Sequence, residues 1–283
     1  MLAFNKYVLS VSMVLLCGSL QSCFQFRMSD EKQEIELAEI SEIYNVQLGV
    51  KVGAGRSIHY TLVHSDSTLP LAIFIHGSPG SSSNFMQFAQ DTTLLARYNV
   101  LLVDRPGYGY SSFGIAEKSI EQQSKILREV VSQFPYAKKY LVGHSLGGPI
   151  VCRMAMDEPS LSAGLLIIAG SVSPDLEPQE KWRKPLSRKA IRWLLPRSFR
   201  VSNDEILPAK QELINMAPLW PKITCDVQII QGGRDNLVPA GNEDYAEKML
   251  VNAKSVRVYR LPEENHFIPF SHPEIVTEKL LLF

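Results

Sequence analysis

A dominant charge of one sign is missing: 29 Lys and Arg balance 29 Asp and Glu across 283 residues, for a formal net charge of zero. No basic footprint exists for a nucleic-acid partner, and none is expected. Cysteine is scarce, with four in the chain, and neither these nor the six histidines cluster at metal-ligand spacing. No metal or cofactor is therefore expected. Internal repeats and low-complexity tracts are also absent, which excludes a solenoid. With 45% hydrophobic residues the chain can still build one large domain with a sizeable core.

Long apolar runs are missing as well. The N-terminal stretch YVLSVSMVLLCGSL, residues 7–20, follows Lys6 and is too short to span a bilayer comfortably. It has the length of a signal-peptide core, about 7 to 15 residues. Leu20-Gln21-Ser22-Cys23 follows and resembles the bacterial lipobox, in which a small residue precedes a cysteine that is lipidated and becomes the new N-terminus. The expectation is a signal peptide over 1–22, a lipidated Cys23, and a body tethered to the bacterial cell envelope, on the periplasmic or outer-membrane side. An uncleaved anchor is the alternative. Residues 24–45 are polar and acidic and read, with Cys23, as a tether. Cys152 and Cys225 read as reduced, core-type cysteines.

From residue 46 on, short apolar runs recur. VQLGVKV (46–52) and SIHYTLV (57–63), joined by Gly53-Ala54-Gly55-Arg56, predict a hairpin. LAIFI (71–75), NVLLV (99–103), KYLV (139–142), GLLIIA (164–169), VQIIQ (227–231) and SVRVYRL (255–261) are continuously apolar. Continuous rather than alternating hydrophobicity predicts strands buried on both faces, as in a parallel sheet. Helical spacing appears in 84–98, 120–134, the segment after Ser145, 240–251 and 272–283. Alternation of strands and helices implies an α/β, doubly wound architecture. Residues 171–222 break the rhythm, with seven of the 17 prolines and all three tryptophans. A connection that long predicts an inserted cap or lid over the body formed by 46–283.

Chemistry concentrates in a few loops. GHSLGG, residues 143–148, lies between a strand and a helix, where a tight turn with small flanking residues exposes a serine nucleophile. Ser145 is the candidate. A serine hydroxyl needs a base, and His266, in the loop after the last strand, is the candidate, with His272 the alternative. Asp235, just past a strand end, is the candidate carboxylate that orients the imidazole, with Asp175 the alternative. The backbone N–H groups of Ser78, in the loop after LAIFI, and of Leu146 are the candidate oxyanion donors. His76 reads as a structural residue that orders the Ser78 loop.

HGSPG (76–80), DRPGYGYS (104–111), GHSLGG (143–148), GGRD (232–235) and ENHF (264–267) occur in an order that resembles the serine hydrolases of the α/β-hydrolase superfamily. The resemblance covers about 46–283 and implies a mostly parallel eight-stranded sheet with helices on both faces and a small cap insertion. It implies a Ser145, Asp235, His266 triad, with DRPGYGYS mostly architectural. Dehalogenase and epoxide hydrolase relatives use an aspartate where this chain has Ser145. HGSPG is also similar to the HGGPG of proline iminopeptidases, with Ser78 in place of a glycine. The expected activity is hydrolysis of a small, hydrophobic carboxylic ester. Amide, thioester or carbon–carbon bond hydrolysis on the same triad is the alternative, and a non-catalytic ligand-binding protein is the reading from another class.

KWRKPLSRKAIRWLLPRSFR, residues 181–200, carries eight basic residues and no acidic one. It reads as a lid helix whose apolar stripe packs over the pocket, or as a face resting on anionic lipid.

Overall fold

Strand burial sets the architecture. In the computed structural model, which describes residues 26–178 and 180–283, eight strands form one sheet in the order β1-β2-β4-β3-β5-β6-β7-β8. They are β1 (Asn45–Gly53), β2 (Arg56–His64), β3 (Leu71–Ile75), β4 (Asn99–Val103), β5 (Lys139–His144), β6 (Gly164–Ile168), β7 (Asp226–Gly232) and β8 (Ser255–Leu261). β1 pairs antiparallel with β2, and β2 antiparallel with β4; the other pairings are parallel. Every residue of β3, β4 and β6 is buried. Alternate side chains of one strand therefore feed two cores. Leu71, Ile73 and Ile75 pack on one face with Leu127 and Val151, whereas Ala72 and Phe74 pack on the other with Phe88 and Val276. Phe74 stacks on Phe88 with centroids 4.8 Å apart. Each such buried side chain contributes roughly 1.5–3 kcal/mol.

The main helices are α1 (Asp30–Glu36), α2 (Ile120–Val131), α3 (Gly147–Asp157), α4 (Arg197–Met216), α5 (Asn242–Met249) and α6 (Pro273–Leu280). Ser119 caps α2 through its hydroxyl, as an N-terminal Ser should. The helix expected over 84–98 is instead three short turns, because the Asp91 side chain accepts the N–H groups of Thr93 and Leu94 and starts a new turn.

Cys23 and the segment expected to be a signal peptide, 1–22, lie outside the described residues. The part of the tether that is described does not lead away from the body. Leu37 and Ile40 are buried in the Phe74 core, Gln33 accepts the hydroxyl of Thr61, and the Arg27 guanidinium donates to the Gly109 carbonyl over the rings of Tyr110 and Phe113. Two apolar residues three apart and a few polar anchors suffice to dock a short segment. No helix among the described residues is long and apolar enough to cross a membrane. Cys152 and Cys225 are free thiols.

Between β6 and β7 the chain leaves the sheet. The segment 181–200 is not one lid helix but two single turns, Arg183–Leu186 and Lys189–Arg192, separated at Arg188, whose backbone is extended, before Pro196 starts α4. Trp182 and Trp193, expected to pack inward, are 54% and 52% exposed.

Candidate active site

The parallel strands end on one side of the sheet, and the loops that follow them gather there. Ser145 follows β5 with φ at +54°, a left-handed conformation that strains a non-glycine residue. Its N–H donates to the Ile168 carbonyl, and its own carbonyl accepts the N–H groups of Gly148 and Ser171. The turn is close enough that a Cβ on Gly147 would lie 2.2 Å from the Ile75 carbonyl, and one on Gly77 2.8 Å from the Ser145 Cβ. Small residues are required on both sides of this turn. α3 starts immediately after Leu146.

Asp235 and His266 meet behind it. Nδ1–H of His266 donates to Oδ2 of Asp235 at 2.7 Å, and the other carboxylate oxygen accepts the N–H groups of Leu237 and Val238 at 2.9 and 2.8 Å. With its Nδ1 proton so committed, the neutral ring presents Nε2 as an acceptor. Ser145, Leu146, Ser78 and His266 all line one cavity of about 180 Å³. Neither the Ser78 nor the Leu146 backbone N–H is taken up by a protein acceptor among the described residues. A hydroxyl, a carboxylate-held imidazole and two available amide donors around one cavity are the groups that acyl transfer needs. The alternatives lie elsewhere: Asp175 is exposed, and His272, its side chain 42% exposed, pairs with Glu264 and Glu274.

Three supports of this arrangement are not evident from the sequence. His144, beside the serine, donates from Nε2 to the His266 carbonyl at 2.9 Å, which fixes the loop that carries His266. Burial, then the neighbouring His266, pushes its pKa down to about 3, so its ring is neutral. His76 orders the Ser78 loop as expected: Nδ1–H donates to the Gly77 carbonyl and Nε2 accepts the Arg105 N–H. Burial and the Arg105 charge lower its pKa to about 3.

The second support is Arg105, from DRPGYGYS. It is fully buried, donates from Nε to the His76 carbonyl and from one terminal nitrogen to the Gly77 carbonyl, both at 2.8 Å. The same guanidinium grips Glu205 of α4 at 2.9 and 3.0 Å. A planar fork of donors is the chemistry that such bidentate pairing requires. The third support completes the network. Tyr108 donates its hydroxyl to Glu205 at 2.5 Å and receives the Ser78 hydroxyl at 2.9 Å. The loop carrying Ser78 is thereby fastened to the cap.

Among the described residues no group of His, Cys, Asp and Glu forms a metal-binding cluster. The cavity wall contributed by the cap holds Glu177, Glu180, Arg183 and Ile206. Burial raises the pKa of Glu177, opposed by the hydrogen bond it accepts from Ser171. Glu180 pairs with Arg183.

Residues 70–193 match the family described as the alpha/beta hydrolase fold. Among known proteins, the chain is similar to a sn-1-specific diacylglycerol lipase of Mus musculus, at 32% identity over 41% of this chain and 37% of that protein. It is also similar to a 2-hydroxy-6-oxononadienedioate/2-hydroxy-6-oxononatrienedioate hydrolase of Pseudomonas sp, at 24% identity over 75% of this chain and 87% of that one. The chain thus spans little more than a third of the mouse relative. Among solved structures, a membrane phospholipase A described as a bacterial virulence factor superposes with a TM-score of 0.64 at 17% identity, covering 99% of this chain and 95% of that one. The eight-stranded, mostly parallel sheet and the matched segment give the chain the α/β-hydrolase fold.

Proposed function

We propose that the protein is a serine hydrolase that cleaves a carboxylic ester through an acyl-enzyme intermediate. The observation that carries this reading is the His266–Asp235 pair lining the same cavity as a serine held at positive φ. Nε2 of His266 takes the Ser145 proton as Oγ attacks the ester carbonyl, and the Ser78 and Leu146 N–H groups stabilise the resulting oxyanion. Collapse breaks the ester C–O bond, and His266 returns the proton to the leaving alcohol. Water, deprotonated by the same histidine, then releases the carboxylic acid and regenerates Ser145. Asp235 keeps the imidazole in the required tautomer and stabilises its protonated form. The name of the mouse relative, a lipase, supports ester cleavage over the other bonds that such a triad hydrolyses.

Ser145→Ala tests this directly. Turnover of short p-nitrophenyl esters and labelling by a fluorophosphonate should be lost while thermal unfolding is unchanged. Near-normal activity in this variant would refute the assignment. The Pseudomonas relative favours a second reading, carbon–carbon bond hydrolysis by the same residues. Ser145-dependent cleavage of a vinylogous 1,5-diketone in preference to esters would establish it.

The tethered location belongs to the same proposal. Cys23 carries the lipid and holds the body at the bacterial cell envelope. Incorporation of labelled palmitate that persists in Cys23→Ala would remove the anchor.

A further inference from the structure

A second cavity, of about 290 Å³, adjoins the one around Ser145. The two share Glu177, Pro178, Glu180, Arg183 and Ile206, so the outer space lies next to an ester held at Ser145. The walls of the two differ in kind. The outer cavity adds Lys181, Lys184 and Lys210, together with Leu207.

Its charges are unequally satisfied. Glu180 is paired with Arg183, and Glu177 accepts the Ser171 hydroxyl beside the inner cavity. None of the three lysines is paired with a carboxylate among the described residues. The carboxylates are thus occupied within the protein, while three lysines from separate parts of the cap line one concave space. Lys181 lies two residues before the first turn of the cap, Lys184 within it and Lys210 in α4. An inner cavity of about 180 Å³ is small for a long acyl chain, being below the usual 300–1,000 Å³ of a ligand pocket. A substrate with its ester at Ser145 must extend outward over Ile206 and Leu207 to reach the lysines.

Resting on the ester hydrolase reading above, we infer that the substrate is an amphiphilic ester whose alcohol portion carries an anionic group, of phosphate type, held in the outer cavity by Lys181, Lys184 and Lys210. Ammonium groups bind such an anion as point charges, and Ile206 and Leu207 cover the intervening carbons. The site selects substrate; it takes no part in bond cleavage.

The test uses two soluble esters that differ only in the anion, 1-butyryl-glycerol and 1-butyryl-glycerol 3-phosphate. The phosphorylated ester should show a kcat/KM at least about tenfold higher at low salt, with the difference in KM. Raising the salt to about 0.5 M should erode it, since exposed charge pairs are screened. The triple variant K181Q/K184Q/K210Q should lose the preference while turning over the uncharged ester at the parent rate and unfolding at the parent temperature. Equal kcat/KM for the two esters, or a preference that survives the triple substitution, overturns the inference. If neither ester is hydrolysed the ester reading itself fails, and calorimetry of the phosphorylated ester with the full chain still reads the cavity. Binding weakened about tenfold or more by the triple substitution supports the anion site, and unchanged or absent binding refutes it.

Discussion

Asp235 and His266 sit on loops whose polar atoms are held by neighbours on every side, whereas Trp182 and Trp193, in the first turns of the cap, stand more than half in solvent. Both regions are loops and short turns grafted onto one sheet. What separates them is where their partners come from. The loops of Asp235 and His266 are held by each other and by the end of β5, with both residues buried. The outer cap is held mostly by contacts within itself, such as Trp193 donating to Ala190 and Arg200 to the carbonyls of Leu195 and Trp193. A loop tied to the sheet can hold reacting atoms in place; one tied to itself can change its residues without disturbing them.

The largest expected effect comes from cutting a deep link between the two regions. Glu205→Ala leaves the Arg105 guanidinium buried without its counter-charge, and removing one partner of a buried pair costs about 3–5 kcal/mol. Urea unfolding should show that loss, and ester turnover should fall as the Ser78 loop loosens; an unchanged midpoint would show that the cap and the sheet are independent. Next in size is His144→Ala. It strips the His266 carbonyl of its buried donor, a loss of about 1–3 kcal/mol. Turnover of a p-nitrophenyl ester should drop by about tenfold through kcat, with KM little changed, because the substrate cavity is intact.

A smaller effect concerns the N-terminal segment. His59 lies between Asp104, at 3.1 Å from Nδ1, and Asp30 of α1, at 3.3 Å from Nε2. Burial alone lowers its pKa, but the hydrogen bond and charge of Asp104 and the charge of Asp30, only partly countered by Arg27, outweigh it, and the net shift is upward from 6.5. A folded-state pKa above the unfolded one means that protonation stabilises the folded form. The contribution is complete below about pH 6.5 and disappears as pH rises through the folded value. Asp30→Asn should therefore lower stability at pH 5.5, by about 1 kcal/mol or less because Asp30 is half exposed, and the difference from the parent should close by pH 9. A gap constant with pH would show that the contact is not ionic. Smallest of all, Trp193→Ala on the outer cap should change stability by no more than about 0.5 kcal/mol in the same unfolding measurement, against the large loss at Glu205.

Much of the sheet was legible because burial on both faces writes itself as continuous apolar runs. LAIFI and NVLLV become β3 and β4 over the same residues, 71–75 and 99–103. The loops around Ser145 were legible because tight turns demand glycine at fixed local positions, as Gly147 against the Ile75 carbonyl shows. α4 was not legible. Pro208 lies inside it, and its buried face interleaves Ser198, Ser202, Asn203 and Glu205 with Val201, Ala209, Leu213 and Met216, so polar residues dilute the apolar period. The partnership of Arg105 with Glu205 spans 100 residues and is written in no local pattern. The docking of residues 27–40 is likewise unwritten in local pattern, because it uses backbone and polar contacts to distant loops.

The docked N-terminal segment also sets a length. The edge of Phe26 meets the ring of Phe199 on the cap, with centroids 5.4 Å apart. With Cys23 lipid-bearing, as proposed, only Phe24 and Gln25 separate it from Phe26, and three fully extended residue steps reach about 11 Å at most. The linker is then a short leash rather than a long one. Under that proposal the start of α4, which carries Phe199, is kept within a headgroup's depth of the bilayer.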